Sequence, residues 1–261
     1  TSVASPWNAT AKQSQPLILN GIGSMEESRK ITVVTVAYNA IEDLKRTMQS
    51  VDAQDYSNIE YIIVDGGSTD GTPQYLASYS GKLTRWVSER DRGIYDAMNK
   101  AVAMATGDYC IFMNAGDTFA DSHVVTAAVE QMGDADVAYG DILKRGEVVK
   151  AKEPCNCHKM YYCHQAAFVK TECLRQFPFD ISHKMSADFK QAKQMTLAGK
   201  SFRHMPLVVA EFDTHGISNT RRSKGLMDNI KVINEVDCFA YKCRLLPRLL
   251  FTYFWCKVRG K

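Results

Sequence analysis

Polar residues stand directly behind four short apolar runs in the first half of the chain, and three of these four groups carry carboxylates. Carboxylate side chains can hold a divalent cation, accept hydrogen bonds from a ligand or take up a proton as a general base. So many acidic groups are unusual for a surface that only binds a dinucleotide. The four groups are Tyr38-Asn39, Asp65-Gly66-Gly67, Glu89-Arg90-Asp91-Arg92 and Asn114-Ala115-Gly116-Asp117.

The segments between these groups predict the elements that would position them. Runs of apolar and β-branched residues, typical of buried strands, lie at 31–36, 60–64, 83–87, 109–113 and, as a candidate fifth strand, 136–139. Helical segments separate them at 41–53, 72–79 and 94–105, the last with an apolar face that includes Ile94. This alternation predicts an α/β fold with a mostly parallel sheet and helices on both faces. Ligands bind at the carboxyl ends of the strands in such sheets.

Several functional classes are disfavoured by composition and by missing motifs. The 261 residues carry 32 basic and 29 acidic side chains, a net charge of +3 that disfavours nucleic acid as a partner. No apolar run is long enough to span a bilayer. The first strand lacks the glycine pattern of dinucleotide-binding proteins, and Thr72-Pro73 stands where a phosphate-binding loop needs Lys and Ser or Thr.

Four blocks of the sequence resemble family 2 glycosyltransferases, which have the GT-A fold. The similarity is greatest to bacterial members that build surface polysaccharides, including the colanic-acid type. It weakens after residue 118 and resumes at His164-Gln165 and Ser186-Ala187-Asp188. The blocks are residues 35–39 (TVAYN), 64–72 (VDGGSTDGT), 88–99 (SERDRGIYDAMN) and 107–117 (GDYCIFMNAGD).

The resemblance implies a nucleotide-sugar donor, and a UDP-sugar in particular. Asp65 would bind the base, although the second acidic residue of the family's usual pair is Gly66 here. Simpler roles stay open: Asp65 could cap a turn, Tyr38 could pack in the core and Asp96 could favour its helix dipole. The residues assigned to the donor are Thr35, Ala37, Tyr38, Asn39, Asp65, Asp91, Gly93, Asp96, Asn114 and Ala115.

A donor of this kind leaves as a diphosphate, whose charge Mg²⁺ or Mn²⁺ can neutralise. The resemblance makes Asp117 the metal ligand, and a turn-capping role is the alternative. The family usually has two acidic residues here, whereas this chain has Asn114 in the first position. His215 replaces a glycine common in relatives, so we expect it to be an additional metal or phosphate ligand.

Sugar transfer also needs a group that removes the proton of the acceptor hydroxyl. Asp188, at the start of a predicted helix, matches the family's acidic motif and is the expected base, with a moderately raised pKa. Its alternative role is to cap the helix. A single base with direct displacement inverts the anomeric configuration. His164 and Gln165 resemble a block that borders the acceptor site, and a histidine packed in the core is the alternative for His164.

The resemblance also suggests how the chain is divided. Residues 1–24, which precede Met25, have no helical or strand periodicity and are expected to be vector-derived or disordered. Residues 25–118 would form the nucleotide-sugar half and 119–237 the acceptor half. Residues 238–261 are a basic amphipathic tail.

The tail combines basic residues with aromatic and leucine residues from Tyr241 to Lys261 and contains no acidic residue. This composition predicts a helix that lies on a membrane surface. The alternative is a helix that packs on the domain or on a second copy in a homodimer. Membrane contact would suit a cytoplasmic enzyme that is peripheral on the inner face of the membrane and acts on a glycan or polyprenyl-linked acceptor.

The eight cysteines leave three interpretations of their chemistry open. Cys155, Cys157 and Cys163 lie close to His158 and His164 in the sequence, so a disulfide or a zinc site competes with plain reduced thiols.

For the whole chain, the sequence predicts a metal-dependent inverting glycosyltransferase of polysaccharide biosynthesis. The alternatives are a sugar-phosphate nucleotidyltransferase and a non-catalytic sugar-nucleotide-binding or membrane scaffold protein.

Overall fold

The computed structural model describes residues 28–212 and 222–258. The described strands form one nine-stranded sheet: β1 (Ile31–Ala37), β2 (Ile59–Asp65), β3 (Leu83–Ser88), β4 (Tyr109–Phe112), β5 (Thr118–Phe119), β6 (Val137–Lys144), β7 (Glu147–Val149), β8 (Ala167–Lys170) and β9 (Phe202–Glu211). The helices are α1 (Ile41–Asp52), α2 (Thr72–Ser78), α3 (Ile94–Met104), α4 (Val124–Gln131), α5 (Thr171–Gln176), α6 (Ala187–Leu197), α7 (Arg222–Val236) and α8 (Phe239–Val258). A short 3₁₀ turn covers His164–Ala166.

The strand order is β3-β2-β1-β4-β8-β6-β9-β5, with β7 paired to the outer part of β6. The first four strands in this order run parallel, and β6 and β9 are also parallel. Strand β8 is antiparallel to both of its neighbours, and β5 is antiparallel to β9. The predicted α/β fold is confirmed. Parallel pairing dominates the first half, and the second half mixes directions.

Helices cover both faces of the sheet, which explains why the central strands are apolar throughout. Along β1, Ile31 and Val33 belong to the core that packs against α1 and α4. Val34 and Val36 point to the opposite face, where α3 and α6 contribute to a second core. This alternation is the period of two that a strand imposes on its side chains.

One prediction about α3 was wrong in detail. Its apolar face includes the buried Ala97, Met98 and Ala101 as expected, but Ile94 is 42% exposed. Ile94 is the first residue of the helix, where no preceding turn covers it. The apolar face therefore begins one turn later than the spacing suggested.

Helices α7 and α8 pack together on the edge of the domain. Phe189 of α6, Ile233 of α7, and Leu245 and Leu249 of α8 form a third apolar cluster. The predicted helix in the tail is confirmed, and Pro247 lies inside it. Within the described ranges, no helix combines the length and the apolar character that crossing a membrane requires.

Candidate active site

The loops that follow β1 and β2 are tied to each other. The backbone N–H of Asn39 donates to Ser68 Oγ at 2.7 Å, and Asn39 Oδ1 accepts from the backbone N–H of Thr69 at 2.8 Å. Asn39 adopts a φ of 48°, which asparagine tolerates better than most residues. Asn39 therefore shapes the rim of the site, and its contact with a donor stays a prediction.

Asp65 is fully buried at the end of β2. Its carboxylate accepts hydrogen bonds from the backbone N–H of Ser68 at 2.9 Å, from the Ser68 hydroxyl, and from Ser88 Oγ at 2.6 Å. These bonds join the loop after β2 to the end of β3. The structure gives Asp65 the turn-capping role, and a contact with the base stays a prediction.

Tyr38, Gly66 and Asp91 meet where three strands end. A methyl group added at Gly66 would lie 2.6 Å from Asp91 Oδ2 and 3.3 Å from the Tyr38 ring, so a larger residue there would push the Asp91 side chain aside. Tyr38 is 65% exposed, which excludes the core-packing alternative. A flat aromatic ring and a nearby carboxylate suit the stacking and hydrogen bonding that a nucleoside needs.

Thr35 and Ala37 lie beneath this surface. Thr35 is buried, and its hydroxyl bonds to the backbone oxygen of Met113 at 2.7 Å, which joins β1 to the end of β4. Ala37 is also buried, and its backbone oxygen accepts from the N–H of Gly66 at 2.9 Å. Both residues support the floor of the donor side.

Gly93 and Asp96 organise the turn into α3. Asp91 Oδ1 accepts from the Gly93 N–H at 2.8 Å, and Gly93 has a φ of 122°, which favours glycine. Asp96 accepts from the backbone N–H and the guanidinium of Arg92, and this ion pair lowers the pKa of Asp96. Asp96 thus holds its own turn in place, and its contact with a donor stays a prediction.

The segment after β4 forms a tight turn around Asp117. The Asp117 N–H donates to the Asn114 backbone oxygen at 2.9 Å, and Thr47 Oγ1 of α1 donates to the Asp117 backbone oxygen at 2.7 Å. Gln165 Nε2 donates to Asp117 Oδ2 at 2.9 Å. The N–H of Ala115 is held by β1 through the Val36 backbone oxygen at 3.2 Å.

The side-chain oxygen of Asn114, Oδ1, is buried without a hydrogen-bond donor among the described residues. Such an acceptor costs free energy unless a ligand satisfies it. Amide and carboxylate oxygens are ligands that Mg²⁺ or Mn²⁺ accepts, so the residue types at Asn114 and Asp117 suit a divalent cation, and binding of a cation there stays a prediction.

A line of hydrogen bonds connects this turn to the predicted base. Asn114 Nδ2 lies 3.1 Å from His164 Nε2, and His164 Nδ1 lies 3.2 Å from Asp188 Oδ2. Since the NH₂ group of Asn114 can only donate, the line is consistent with Nε2 of His164 accepting from Asn114 and Nδ1 donating to Asp188. The three residues come from the turn after β4, the 3₁₀ turn and α6. The structure therefore brings the predicted metal turn and the predicted base into one site.

Asp188 has three donors, and together they correct the expected direction of its pKa. Burial raises the pKa of this carboxyl, but the hydrogen bonds from His164, the Phe189 N–H and the Tyr95 hydroxyl outweigh burial and lower it overall. The expected moderate rise was therefore wrong. Asp188 stays ionised at neutral pH, so it is ready to accept a proton.

A cavity of about 250 Å³ opens beside Asp188, whose side chain is 20% exposed. Its walls come from α6, α7 and the loop before the 3₁₀ turn. Apolar side chains dominate, with a serine and an asparagine among them. The lining residues are Met160, Met185, Ser186, Asp188, Phe189, Gly225, Leu226 and Asn229.

A model of a protein family, described as Glycosyl transferase family 2, matches residues 32–189, which is more than half of the chain. The chain belongs to glycosyl transferase family 2. The matched residues include the strand-end loops and the hydrogen-bonded residues Asn114, His164 and Asp188. This confirms the resemblance seen in the sequence.

Relatives and solved structures agree with this family. An uncharacterized glycosyltransferase of Mycobacterium tuberculosis is 29% identical over 225 residues, 81% of this chain and 86% of that protein. A PGL/p-HBAD biosynthesis glycosyltransferase of Mycobacterium bovis is 26% identical over 72% of this chain and 79% of its own length. These relatives extend the similarity beyond the family match.

Two structures show the same fold. S. aureus TarS 1–349 in complex with UDP-GlcNAc has a TM-score of 0.66 at 17% identity, covering 85% of this chain and 71% of that one. The mannosyltransferase PcManGT from Pyrobaculum calidifontis, in complex with GDP-Man and Mn²⁺, has a TM-score of 0.64 at 20% identity, covering 80% and 64%. The GT-A fold of this family 2 glycosyltransferase is thereby confirmed.

Two predicted site residues, Gln165 and His215, stay predictions. Gln165, expected at the acceptor, is buried and donates to Asp117. His215 lies outside the described residues. Tyr95, which the sequence reasoning missed, donates to Asp188 at 3.0 Å. It belongs to the block 88–99, but its contact with Asp188 depends on how α3 and α6 pack, which no local pattern indicates.

The acidic groups gathered most closely for a cation lie elsewhere, on the α7 side of the domain. Ligand atoms of Asp180, His183 and Glu235 all lie within 4.8 Å of one another. Lys190 Nζ already occupies the centre, at 2.6 Å from both Asp180 and Glu235. This cluster fastens α7 to the segment before Asp188.

All eight cysteines are free thiols, so the disulfide alternative is not supported.

Proposed function

We propose that this glycosyltransferase moves a sugar from a UDP-sugar to a hydroxyl of a glycan or lipid-linked acceptor, with inversion at the anomeric carbon. Surface polysaccharide biosynthesis is the proposed setting. The observation that carries the proposal is the line from Asn114 through His164 to Asp188, with Asp117 at one end and the cavity at the other. With the donor diphosphate near Asp117 and the acceptor in the cavity, the acceptor hydroxyl and the anomeric carbon would come together near Asp188.

On the donor side, we place the nucleoside against the exposed ring of Tyr38, next to Gly66 and Asp91. Thr35, Ala37 and Asp65 support it from below. The proposal is consistent with the UDP-GlcNAc bound in TarS and the GDP-Man bound in PcManGT. We favour uracil because the resemblance seen in the sequence implies a UDP-sugar in particular.

The diphosphate would lie toward Asn114 and Asp117. When bound there, Mg²⁺ or Mn²⁺ would neutralise the charge that develops on the leaving diphosphate. Asp117 is already oriented by Gln165, and the unpaired Oδ1 of Asn114 offers a second oxygen. His215 is proposed as a further ligand of the metal or of a phosphate.

Asp188 is proposed as the catalytic base. The oxygen of the acceptor hydroxyl bonds to the anomeric carbon as the bond from that carbon to the diphosphate oxygen breaks. The hydroxyl proton moves to Asp188, and the diphosphate departs with the bonding electrons. His164 and Tyr95 hold the carboxylate in place, so we assign them as positioning residues.

The cavity beside Asp188 is the proposed acceptor site. Met160, Met185, Phe189 and Leu226 offer apolar surface, while Ser186 and Asn229 offer hydrogen bonds. This mixture fits a sugar hydroxyl next to an apolar group better than a purely polar oligosaccharide. A polyprenyl-linked or lipid-linked glycan has this character.

The amphipathic tail supports peripheral attachment to the inner face of the membrane. Helix α8 buries Leu245 and Leu249 against the domain, but leaves Phe251, Phe254 and Trp255 more than half exposed. An exposed aromatic row on a basic helix suits a membrane interface. A homodimer through this row is the competing proposal.

The test is sugar transfer by the Asp188→Asn variant. We expect the rate to fall about a thousandfold, the middle of the range for loss of a general base. Asp134→Asn, a change on a surface carboxylate that is 86% exposed, serves as the matched control and should keep full activity. Transfer by Asp188→Asn within a fewfold of the unaltered protein would overturn the assignment. Absence of transfer from every nucleotide sugar by the unaltered protein would favour a binding or scaffold role.

A further inference from the structure

We propose that Arg244 and Arg248 form a binding site for the phosphate group of a membrane lipid. The site lies in a second cavity, of about 440 Å³, between α8 and the loop at residues 155–158. It goes beyond the proposed sugar transfer, since it assigns a ligand to a part of the molecule that the reaction does not use. The cavity is lined by Cys155, Asn156, Cys157, His158, Tyr241, Arg244, Leu245 and Arg248.

The two arginines are arranged to act together. They are four residues apart on one helix, so they lie one turn apart on the same face. Leu245, next to Arg244, is anchored in the apolar cluster with Phe189 and Ile233, which fixes the orientation of this part of α8. Among the described residues, neither guanidinium forms an ion pair. Two adjacent guanidinium groups can bind a phosphate through paired N–H donors.

The opposite wall adds no negative charge that would compete for the arginines. Asp237 contacts this wall, where it accepts from Asn156 Nδ2 at 2.7 Å, and it pairs with the buried Lys193 at 2.9 Å. Burial and a hydrogen bond with Cys157 raise the pKa of the Cys155 thiol to about 11, so this thiol is neutral near pH 7. An anion would therefore meet positive charge and neutral donors.

The pKa of His158 also indicates positive charge around this cavity. Burial lowers the pKa of His158, and the positive charges of Lys159, Arg248 and Lys152 lower it further. Three cations near one imidazole show that positive charge is concentrated at this cavity. An anionic ligand is what such a concentration of charge attracts.

The rest of α8 favours a lipid over a soluble phosphate as the source of that anion. Phe251 and Trp255 follow Arg248 at spacings of three and seven residues, so they continue the same face of the helix. They are 70% and 51% exposed, and their rings stack at 6.4 Å. An amphipathic helix at an interface places its aromatic residues among acyl chains and its cations at the level of the headgroups.

The experiment is flotation of the full chain with vesicles in the absence of any nucleotide sugar. Three vesicles are compared: phosphatidylcholine alone, phosphatidylcholine with phosphatidic acid, and phosphatidylcholine with phosphatidylglycerol at matched surface charge. The variants are Arg244→Gln with Arg248→Gln, and, as a control of equal charge loss, Lys231→Gln with Lys257→Gln. Far-UV circular dichroism verifies that both double variants keep their helices.

We expect the unaltered protein to bind phosphatidic acid vesicles best, because a phosphate monoester can engage both guanidinium groups. The arginine variant should lose about tenfold or more in affinity for them, and the lysine control about threefold or less. Equal losses in the two variants would show that general surface charge is responsible and would overturn the site. Undiminished binding by the arginine variant would overturn it as well.

Soluble pyrophosphate separates the two sources of phosphate. We expect millimolar pyrophosphate to compete only weakly with vesicles, since it lacks the contact with Phe251 and Trp255. Arginine-dependent binding of pyrophosphate without any vesicle binding would overturn the lipid as the ligand. The outcome is independent of sugar transfer: Asp188→Asn should float with vesicles like the unaltered protein, and a failure of the proposed activity would leave that result unchanged.

Discussion

The donor side and the base side of the site are built in different ways. On the donor side, the carboxylates bond within their own loop or to the adjacent parallel strand: Asp65 to Ser68 and to Ser88 at the end of β3, and Asp96 to Arg92. On the base side, Asp188 is held by residues 24 and 93 positions away in the chain. The difference indicates that the donor side is a preformed rim, whereas the base depends on the packing of distant segments.

The comparison predicts its largest effect at Asp117, where the two sides meet. Asp117→Asn removes the charge that we assign to the cation, so metal-dependent binding of UDP should weaken about a hundredfold. Calorimetry with manganese and with a chelator measures this loss. Asp121→Asn, on an exposed side chain, is the control. Equal UDP affinity for Asp117→Asn and the unaltered protein would remove Asp117 from the metal site.

A smaller effect is expected at His164, which belongs to the base side. His164→Ala removes a hydrogen bond that lowers the pKa of Asp188, so that pKa should rise. The rate of transfer falls as the pH drops through the pKa of the base, and this fall should begin at a higher pH in the variant. At neutral pH we expect a loss of about tenfold.

The matched control for this change is His123→Ala. His123 is an exposed histidine that pairs with Asp55 on the surface, and it should leave the profile unchanged. A pH–rate profile measured over the acid range decides the question. If the transfer rate of His164→Ala begins to fall at the same pH as that of the unaltered protein, even with a slower rate overall, His164 does not act through Asp188.

Gly66 tests whether the donor side is preformed. Gly66→Ala puts a methyl group against Asp91 and Tyr38. A distortion of about 1 kcal/mol would weaken UDP binding about fivefold. Gly225→Ala is the control, because an added methyl there meets no atom within 4 Å. Unchanged UDP affinity in Gly66→Ala would show that the nucleoside does not use this junction.

The smallest effect on binding is expected at Asp65. Asp65→Asn replaces one acceptor oxygen with an NH₂ group and disrupts bonds to Ser68 and Ser88, at a cost of about 1–2 kcal/mol in the free energy of unfolding. Urea unfolding measures this cost, and UDP affinity should change about twofold. A large loss of UDP affinity with unchanged stability would instead support the contact with the base that the sequence suggested.

The sequence predicted the donor side better than the base side, for a physical reason. Strands such as β2 and β4 are largely apolar runs, and each is followed closely by its polar loop, so local spacing indicates where Asp65 and Asp117 lie. The pairing of Tyr95 with Asp188 depends on how α3 and α6 pack, and no local pattern encodes it. The same holds for the direction of the pKa of Asp188, which donors from three separate segments decide.

The separation of binding from catalysis is tested most directly by titrating UDP into Asp188→Asn in the presence of manganese. The account predicts a dissociation constant within about twofold of the unaltered protein, because Asp188 acts on the acceptor and the donor side is preformed. Loss of UDP binding in this variant would contradict the account. It would place Asp188 in the donor site and leave the reaction without its proposed base.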